Sequence, residues 1–219
     1  MTRIKICGIT NRDDAEAAAA YGADALGFIG VPTSPRYVDE VRFDEIAIPA
    51  PLFVKRVVVV QRADDALPYS ADYIQYYDES TDRTRQTRNH AWQIKCIRMK
   101  DETSLDEIRQ FPTPVAAFLL DTYHKDKLGG SGETFNWELA AETKRIAGRP
   151  IILAGGQNAC RIPRSIQFDA NCLCLEYQAS KWSRICRPPN TMSRSTASAA
   201  SSGDLLFSAL MMTRCSCCF

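Results

Sequence analysis

Short apolar runs alternate with longer polar stretches through the first two-thirds of this chain. Arg3–Cys7 is the first run, and Ala25–Ile29, Phe53–Val60, Ala71–Tyr76, Ile94–Arg98, Val115–Leu120 and Pro150–Leu153 follow it. The run at Phe53–Val60 is β-branched over much of its length, as a buried strand prefers. Between the runs, Asn11–Tyr21, Val41–Ile48, Arg62–Leu67, Glu79–Trp92, Ser104–Phe111 and Asn136–Ile146 are helix-compatible. In the first of these, Thr10 or Asn11 can act as N-cap and Asp13 and Asp14 fall in the first turn, where the dipole favours them. Gly22 is the natural stop. Strands recurring roughly every 20–30 residues with helices between them predict a parallel α/β fold. Seven such units are too many for a small doubly wound sheet and one short of a barrel. The pattern therefore predicts a (β/α)8 TIM barrel, with a doubly wound sheet as the alternative and the eighth unit missing or scrambled.

The pattern stops near residue 159. Beyond it, Pro188-Pro189-Asn190 interrupts any strand, Ser193–Ser202 is a Ser/Ala run of low complexity, and Cys215-Ser216-Cys217-Cys218-Phe219 has no period at all. Of nine cysteines, only Cys7 and Cys96 precede this point. The composition thus divides the chain into a barrel domain at 1–159 and an atypical Cys/Ser-rich tail at 160–219.

Charge narrows the partners. Lys+Arg total 27 against 26 Asp+Glu, a formal charge of +1, which leaves no basic footprint for nucleic acid or a membrane surface. No apolar run approaches the ~18–20 residues that span a bilayer, and Met1 leads directly into a strand rather than a signal segment. The expectation is a cytoplasmic protein with a small-molecule partner, as monomer or homodimer. The odd cysteine total without a secretory signal argues against a disulfide framework. The histidines, His90 and His124, are isolated, and the late cysteines lack partners at zinc-site spacing, so no metal is expected.

In such a barrel the C-terminal ends of the strands converge on one site. Read in order, those ends and the loops after them offer Cys7, Arg36, Gln75, Arg98, Asp121 and the pair Gly155-Gly156. Taken singly they are unremarkable: a buried thiol, surface cations, a helix-capping carboxylate, a turn. Together they supply a base or nucleophile, an acid, cations for an anionic substrate, and a glycine pair for close backbone approach to phosphate. Leu128–Thr134 is glycine-rich but does not end in the Gly-Lys-Ser/Thr of a phosphate-binding loop, and reads as a mobile active-site loop.

These residues carry a family resemblance. Lys5-Ile6-Cys7-Gly8-Ile9-Thr10, Ser34-Pro35-Arg36-Tyr37-Val38, Leu120-Asp121-Thr122, Gly129-Gly130-Ser131-Gly132-Glu133-Thr134-Phe135-Asn136-Trp137 and Ile152-Leu153-Ala154-Gly155-Gly156 together resemble the phosphoribosylanthranilate isomerases of tryptophan biosynthesis, over about residues 3–158. The resemblance implies a cofactor-free Amadori rearrangement of a phosphorylated aminoaldose. It implies Asp121 as general acid, Cys7 as general base, Arg36 on the anthranilate carboxylate, and Gly155 and Gly156 amides on the phosphate. A sister barrel, indoleglycerol-phosphate synthase, is disfavoured because it should place a lysine and glutamates where Cys7 and Asp121 stand.

Two departures qualify it. The family's Gln-Leu-His-Gly is here Gln75-Tyr76-Tyr77-Asp78, and the family's eighth-strand Asp-Val-Ser-Ser-Gly-Val-Glu is absent. Simultaneous loss of motif, α/β pattern and ordinary composition suggests that the chain leaves the family's reading frame between Gln157 and Asn171. A ring left open at strands one and seven would expose both edges and predicts low or absent turnover, as in an inactive remnant.

Overall fold

A computed structural model describes residues 3–47, 53–77, 92–111, 115–125 and 135–155, together with the backbone of 174–178. Eight parallel strands form a closed barrel in chain order. They are β1 (Arg3–Cys7), β2 (Ala25–Ile29), β3 (Lys55–Val60), β4 (Tyr73–Tyr76), β5 (Trp92–Met99), β6 (Ala117–Thr122), β7 (Ile151–Leu153) and β8 (Cys174–Gln178). Helices α1 (Arg12–Ala20), α2 (Glu40–Ala47), α3 (Ser104–Gln110) and α4 (Trp137–Ala147) lie between them. No helix among the described residues is long and apolar enough to cross a membrane.

Most elements fall where the apolar pattern puts them. Asn11, rather than Thr10, caps α1: its Oδ1 accepts from the Asp14 N–H at 2.8 Å. Three segments differ. Arg62–Leu67 forms only a 3-10 turn at Ala63–Ala66, too short and acidic to bury a helical face. Glu79–Trp92 lies almost wholly outside the described residues, and Trp92 itself begins β5. The sixth strand runs two residues later than its apolar core suggests, so Asp121 is the strand's penultimate residue.

The expected open edge is corrected by β8. It pairs with β1 over Arg3–Cys7 and with β7 at Ile152 and Leu153, so both edges are hydrogen-bonded. This strand comes from the stretch that composition set apart, and the barrel therefore extends past residue 159. A strand held between two neighbours is specified by backbone pairing, which composition does not report.

The two-residue period of each strand sorts the side chains into two cores. Ile4, Ile6, Val58, Val60, Ile74, Phe118 and Leu120 face outward and pack against the helices. Val57, Ile94, Cys96, Ala117, Leu119, Ile152 and Ala154 fill the barrel interior. The same alternation assigns Lys5, Cys7, Gln75, Arg98 and Asp121 to the interior side.

Candidate active site

Cys7 ends β1 and is 5% exposed; Asp121 lies near the end of β6 and is also 5% exposed. Both sit at the C-terminal rim of the ring, on its interior side. The Asp121 carboxylate accepts from the Thr122 N–H through Oδ1 at 2.8 Å, which fixes the plane of the acid. Cys7 stands against Gly27 of β2: a Cβ there would lie 2.8 Å from the Cys7 sulfur. Gly27 is thus the notch into which the thiol fits.

Arg36 approaches the same rim from the loop after β2. Gly8, directly after Cys7, has φ +83°, and a Cβ on it would lie 2.3 Å from Arg36 Nη1. The guanidinium is therefore seated on the turn that follows the thiol. Nη1 is buried and has no hydrogen-bond partner among the described residues. A buried donor left unpaired costs on the order of 1–3 kcal/mol, more on a cation.

The Arg36 loop is held from behind. Val38 N–H donates to Ile29 O at 2.9 Å, and Arg36 N–H donates to Ser34 Oγ at 3.2 Å. Tyr69 closes the arrangement: its hydroxyl donates to Val38 O at 2.8 Å, and its ring packs edge-on to Phe43, which packs edge-on to Phe28 of β2. Burial, with the neighbouring Tyr37, pushes the Tyr69 phenol well above its ordinary value, so it remains a neutral donor. Sequence reasoning missed Tyr69, since an isolated tyrosine in a Pro/Ser-flanked turn carries no pattern.

Gly155 follows β7 with φ +78°, and a Cβ on it would lie 2.3 Å from Thr122 Oγ1 and 3.0 Å from Thr122 N. Close approach to the end of β6 explains this glycine. Gly156 and the Leu128–Thr134 loop lie outside the described residues. Arg98, in register with Asp121, is engaged by the segment after β6. Its guanidinium carbon is 4.6 Å from the Tyr123 ring centroid, and Nη2 donates to His124 O. Gln75 lies in the interior and accepts from Lys5 Nζ at 2.7 Å. Lys5 was also passed over, although its place two residues before Cys7 puts it on the thiol's own face.

A family model described as N-(5'phosphoribosyl)anthranilate (PRA) isomerase matches residues 4–177, nearly the whole of the ring, from β1 into β8. The chain belongs to this family. It is 37% identical over 169 residues to the N-(5'-phosphoribosyl)anthranilate isomerase of Chromohalobacter salexigens, covering 75% of this chain and 78% of that one. It is 38% identical over 174 residues to that of Geobacter sulfurreducens, covering 76% and 83%. The phosphoribosyl anthranilate isomerase structure from Thermotoga maritima superposes with a TM-score of 0.73 at 24% identity, covering 98% of this chain and 99% of that one. The isomerase match thus runs beyond residue 158, where the quoted motifs end, and takes in the strand that closes the barrel.

Proposed function

We propose that this chain converts N-(5-phosphoribosyl)anthranilate to 1-(2-carboxyphenylamino)-1-deoxyribulose 5-phosphate. Asp121 donates a proton to the ribose ring oxygen, the ring C–O bond breaks, and the anthranilate nitrogen becomes an iminium. The Cys7 thiolate then removes the C2 proton and the electron pair neutralises the iminium, leaving an enolamine. Protonation at C1 and loss of the enol proton give the ketone, so no atoms or electrons enter or leave overall. Arg36 holds the anthranilate carboxylate through the nitrogen that has no partner among the described residues. The Gly155 and Gly156 amides hold the phosphate.

The observation that supports this reading most is the seating of Arg36 on Gly8. It puts an anion-seeking nitrogen beside the residue following the proposed base. An acid and a base on separate strands of one ring is the minimum machinery for the shift. Turnover was expected to be weak because the ring could not close; β8 removes that ground. The test is substrate fluorescence under steady-state conditions. The chain should consume phosphoribosylanthranilate, and Cys7→Ala should abolish the decay; an unchanged decay would refute the assignment of the base.

A further inference from the structure

Tyr69 lies on the connection between β3 and β4 and is 6% exposed. A Cβ on Gly30, the residue after β2, would lie 3.0 Å from both Cζ and Oη of this tyrosine. Gly30 is therefore a notch that admits the phenol end of the ring. The ring itself is fixed edge-on to Phe43, and the Tyr69 N–H donates to Ala66 O, at the end of the 3-10 turn, at 3.0 Å.

The hydroxyl so placed fastens Val38. This residue is 2% exposed and both its backbone groups are used: the N–H donates to Ile29 O at 2.9 Å, and the carbonyl accepts from Tyr69 at 2.8 Å. The loop leaves β2 after Ile29 and returns to it, since Tyr37 bridges back to Ile29. In between, Ser34 N–H donates to Val31 O at 2.9 Å and Tyr37 N–H to Ser34 O at 3.1 Å. Arg36 thus stands between a tight turn and the Val38 anchor. A phenylalanine at 69 would fill the notch and keep the ring packing. What the hydroxyl adds is a donor for a buried carbonyl two residues beyond Arg36.

We propose that Tyr69 is a positioning residue for substrate selection: through Val38, its hydroxyl holds Arg36 where the guanidinium meets the carboxylate of the anthranilate ring. This rests on Arg36 taking that carboxylate. A guanidinium–carboxylate contact is strong only when the fork is aligned, and a long arginine stem loses alignment when its backbone shifts. Arg36 is located at both ends, its backbone by Tyr69 and its guanidinium by the Gly8 turn. Order established before binding removes a cost that binding would otherwise carry. Burial, with Tyr37 beside it, keeps the phenol protonated, so the donor stays in place through the neutral range.

The test compares two ligands that differ only in the carboxylate: the product reduced at its ketone, and the same compound built on aniline instead of anthranilate. Inhibition constants for both are measured on the full chain, and the wild type should bind the carboxylate-bearing one more tightly. Tyr69→Phe should weaken that ligand about five- to tenfold and leave the other within about twofold. KM for phosphoribosylanthranilate should rise in step while kcat holds. Once Arg36→Met has removed the group through which Tyr69 acts, adding Tyr69→Phe should cost nothing more. Gly30→Ala presses on the hydroxyl without removing it, should reduce the selectivity in the same direction, and serves as the readout if Tyr69→Phe fails to fold. Equal weakening of both ligands, or a further loss on top of Arg36→Met, would overturn the proposal and leave Tyr69 a support of the fold. Selectivity retained in the variant would also overturn it, with the assignment of Arg36 intact. A wild type that binds the two ligands alike would refute the assignment of Arg36 itself, and the proposal with it.

Discussion

The two rims of this barrel treat polar groups in opposite ways. At the N-terminal rim, carboxylates are paired. Asp24, ahead of β2, accepts from the Ile4 N–H of β1 at 2.7 Å; Asp72, ahead of β4, accepts from the Arg56 N–H of β3 at 2.8 Å and from Arg56 Nε at 3.1 Å. One device is used twice, each time tying a strand to the entry of the next. At the C-terminal rim a buried guanidinium nitrogen has no partner among the described residues, and two glycines take positive φ to bring backbone against side chains. Satisfied polar groups hold a structure together, whereas buried orphans and strained turns persist where a ligand is to be received. The lower rim holds strands together, and the upper is where barrels generally place binding and chemistry, as proposed above for this one.

The contrast breaks if residues of the upper rim prove to matter mainly for folding. The largest expected effect is from Cys7→Ala or Asp121→Asn. Each should lower kcat/KM by about 10²–10⁴, the usual contribution of a placed acid or base. Neither should shift the urea midpoint of unfolding by more than about 0.5 M, given ordinary m-values and small changes of volume. A comparable rate loss in Asp24→Asn would show that the rims are not functionally distinct.

Gly155→Ala comes next and cuts across the contrast. Its Cβ would meet Thr122 Oγ1 at 2.3 Å with φ at +78°. Left-handed backbone costs roughly 1–2 kcal/mol and overpacking roughly 1–3 kcal/mol. The expected loss is about 3 kcal/mol of stability by denaturant titration, relieved in part by Thr122→Ala in the double variant. An unrelieved loss would mean that the backbone conformation, not the contact with β6, demands the glycine.

Arg36→Met sharpens the comparison in the opposite sense. Removing a half-buried charge whose Nη1 is buried without a hydrogen-bond partner among the described residues should leave the melting temperature unchanged or raise it. KM for phosphoribosylanthranilate should rise about 10- to 100-fold, the loss of one charge-assisted contact. A fall in melting temperature with unchanged KM would assign Arg36 to the fold.

What the sequence makes legible follows the same division. Strands β1 and β2 are readable to the residue, because a run of alternating core positions ends at a glycine or a turn. The inward placement of Cys7 and Asp121 follows from strand period alone. Tyr69 is not readable, since its role depends on Val38 and Phe43, which only the folded loop brings near. Lys5 is half readable: the period puts it under Cys7, but only Gln75, 70 residues away, shows where its charge is held. The closing strand was hidden because an apolar pattern describes faces, while β8 is defined by what it pairs with.

Asp72→Asn should give the smallest effect, and its pH dependence carries the information. Burial alone would raise this carboxyl, but hydrogen bonds from the Arg56 side chain and backbone, together with the guanidinium charge, hold it below the usual carboxylate range. A depressed native value means that the unfolded chain takes up the proton first. The stabilisation is therefore present above the unfolded value of about 3.9 and is lost as pH falls through the lower, native one. The side chains are about 30% exposed, so solvent screening limits the contribution to about 1 kcal/mol. Urea midpoints at pH 7 should be lower for Asp72→Asn than for the wild type, and the gap should close as pH is taken below 4. Catalysis should not respond at pH 7. A gap that persists undiminished at the lowest pH would mean that Asp72 acts through its shape as a strand-entry cap, and that charge pairing is not what distinguishes this rim from the one above it.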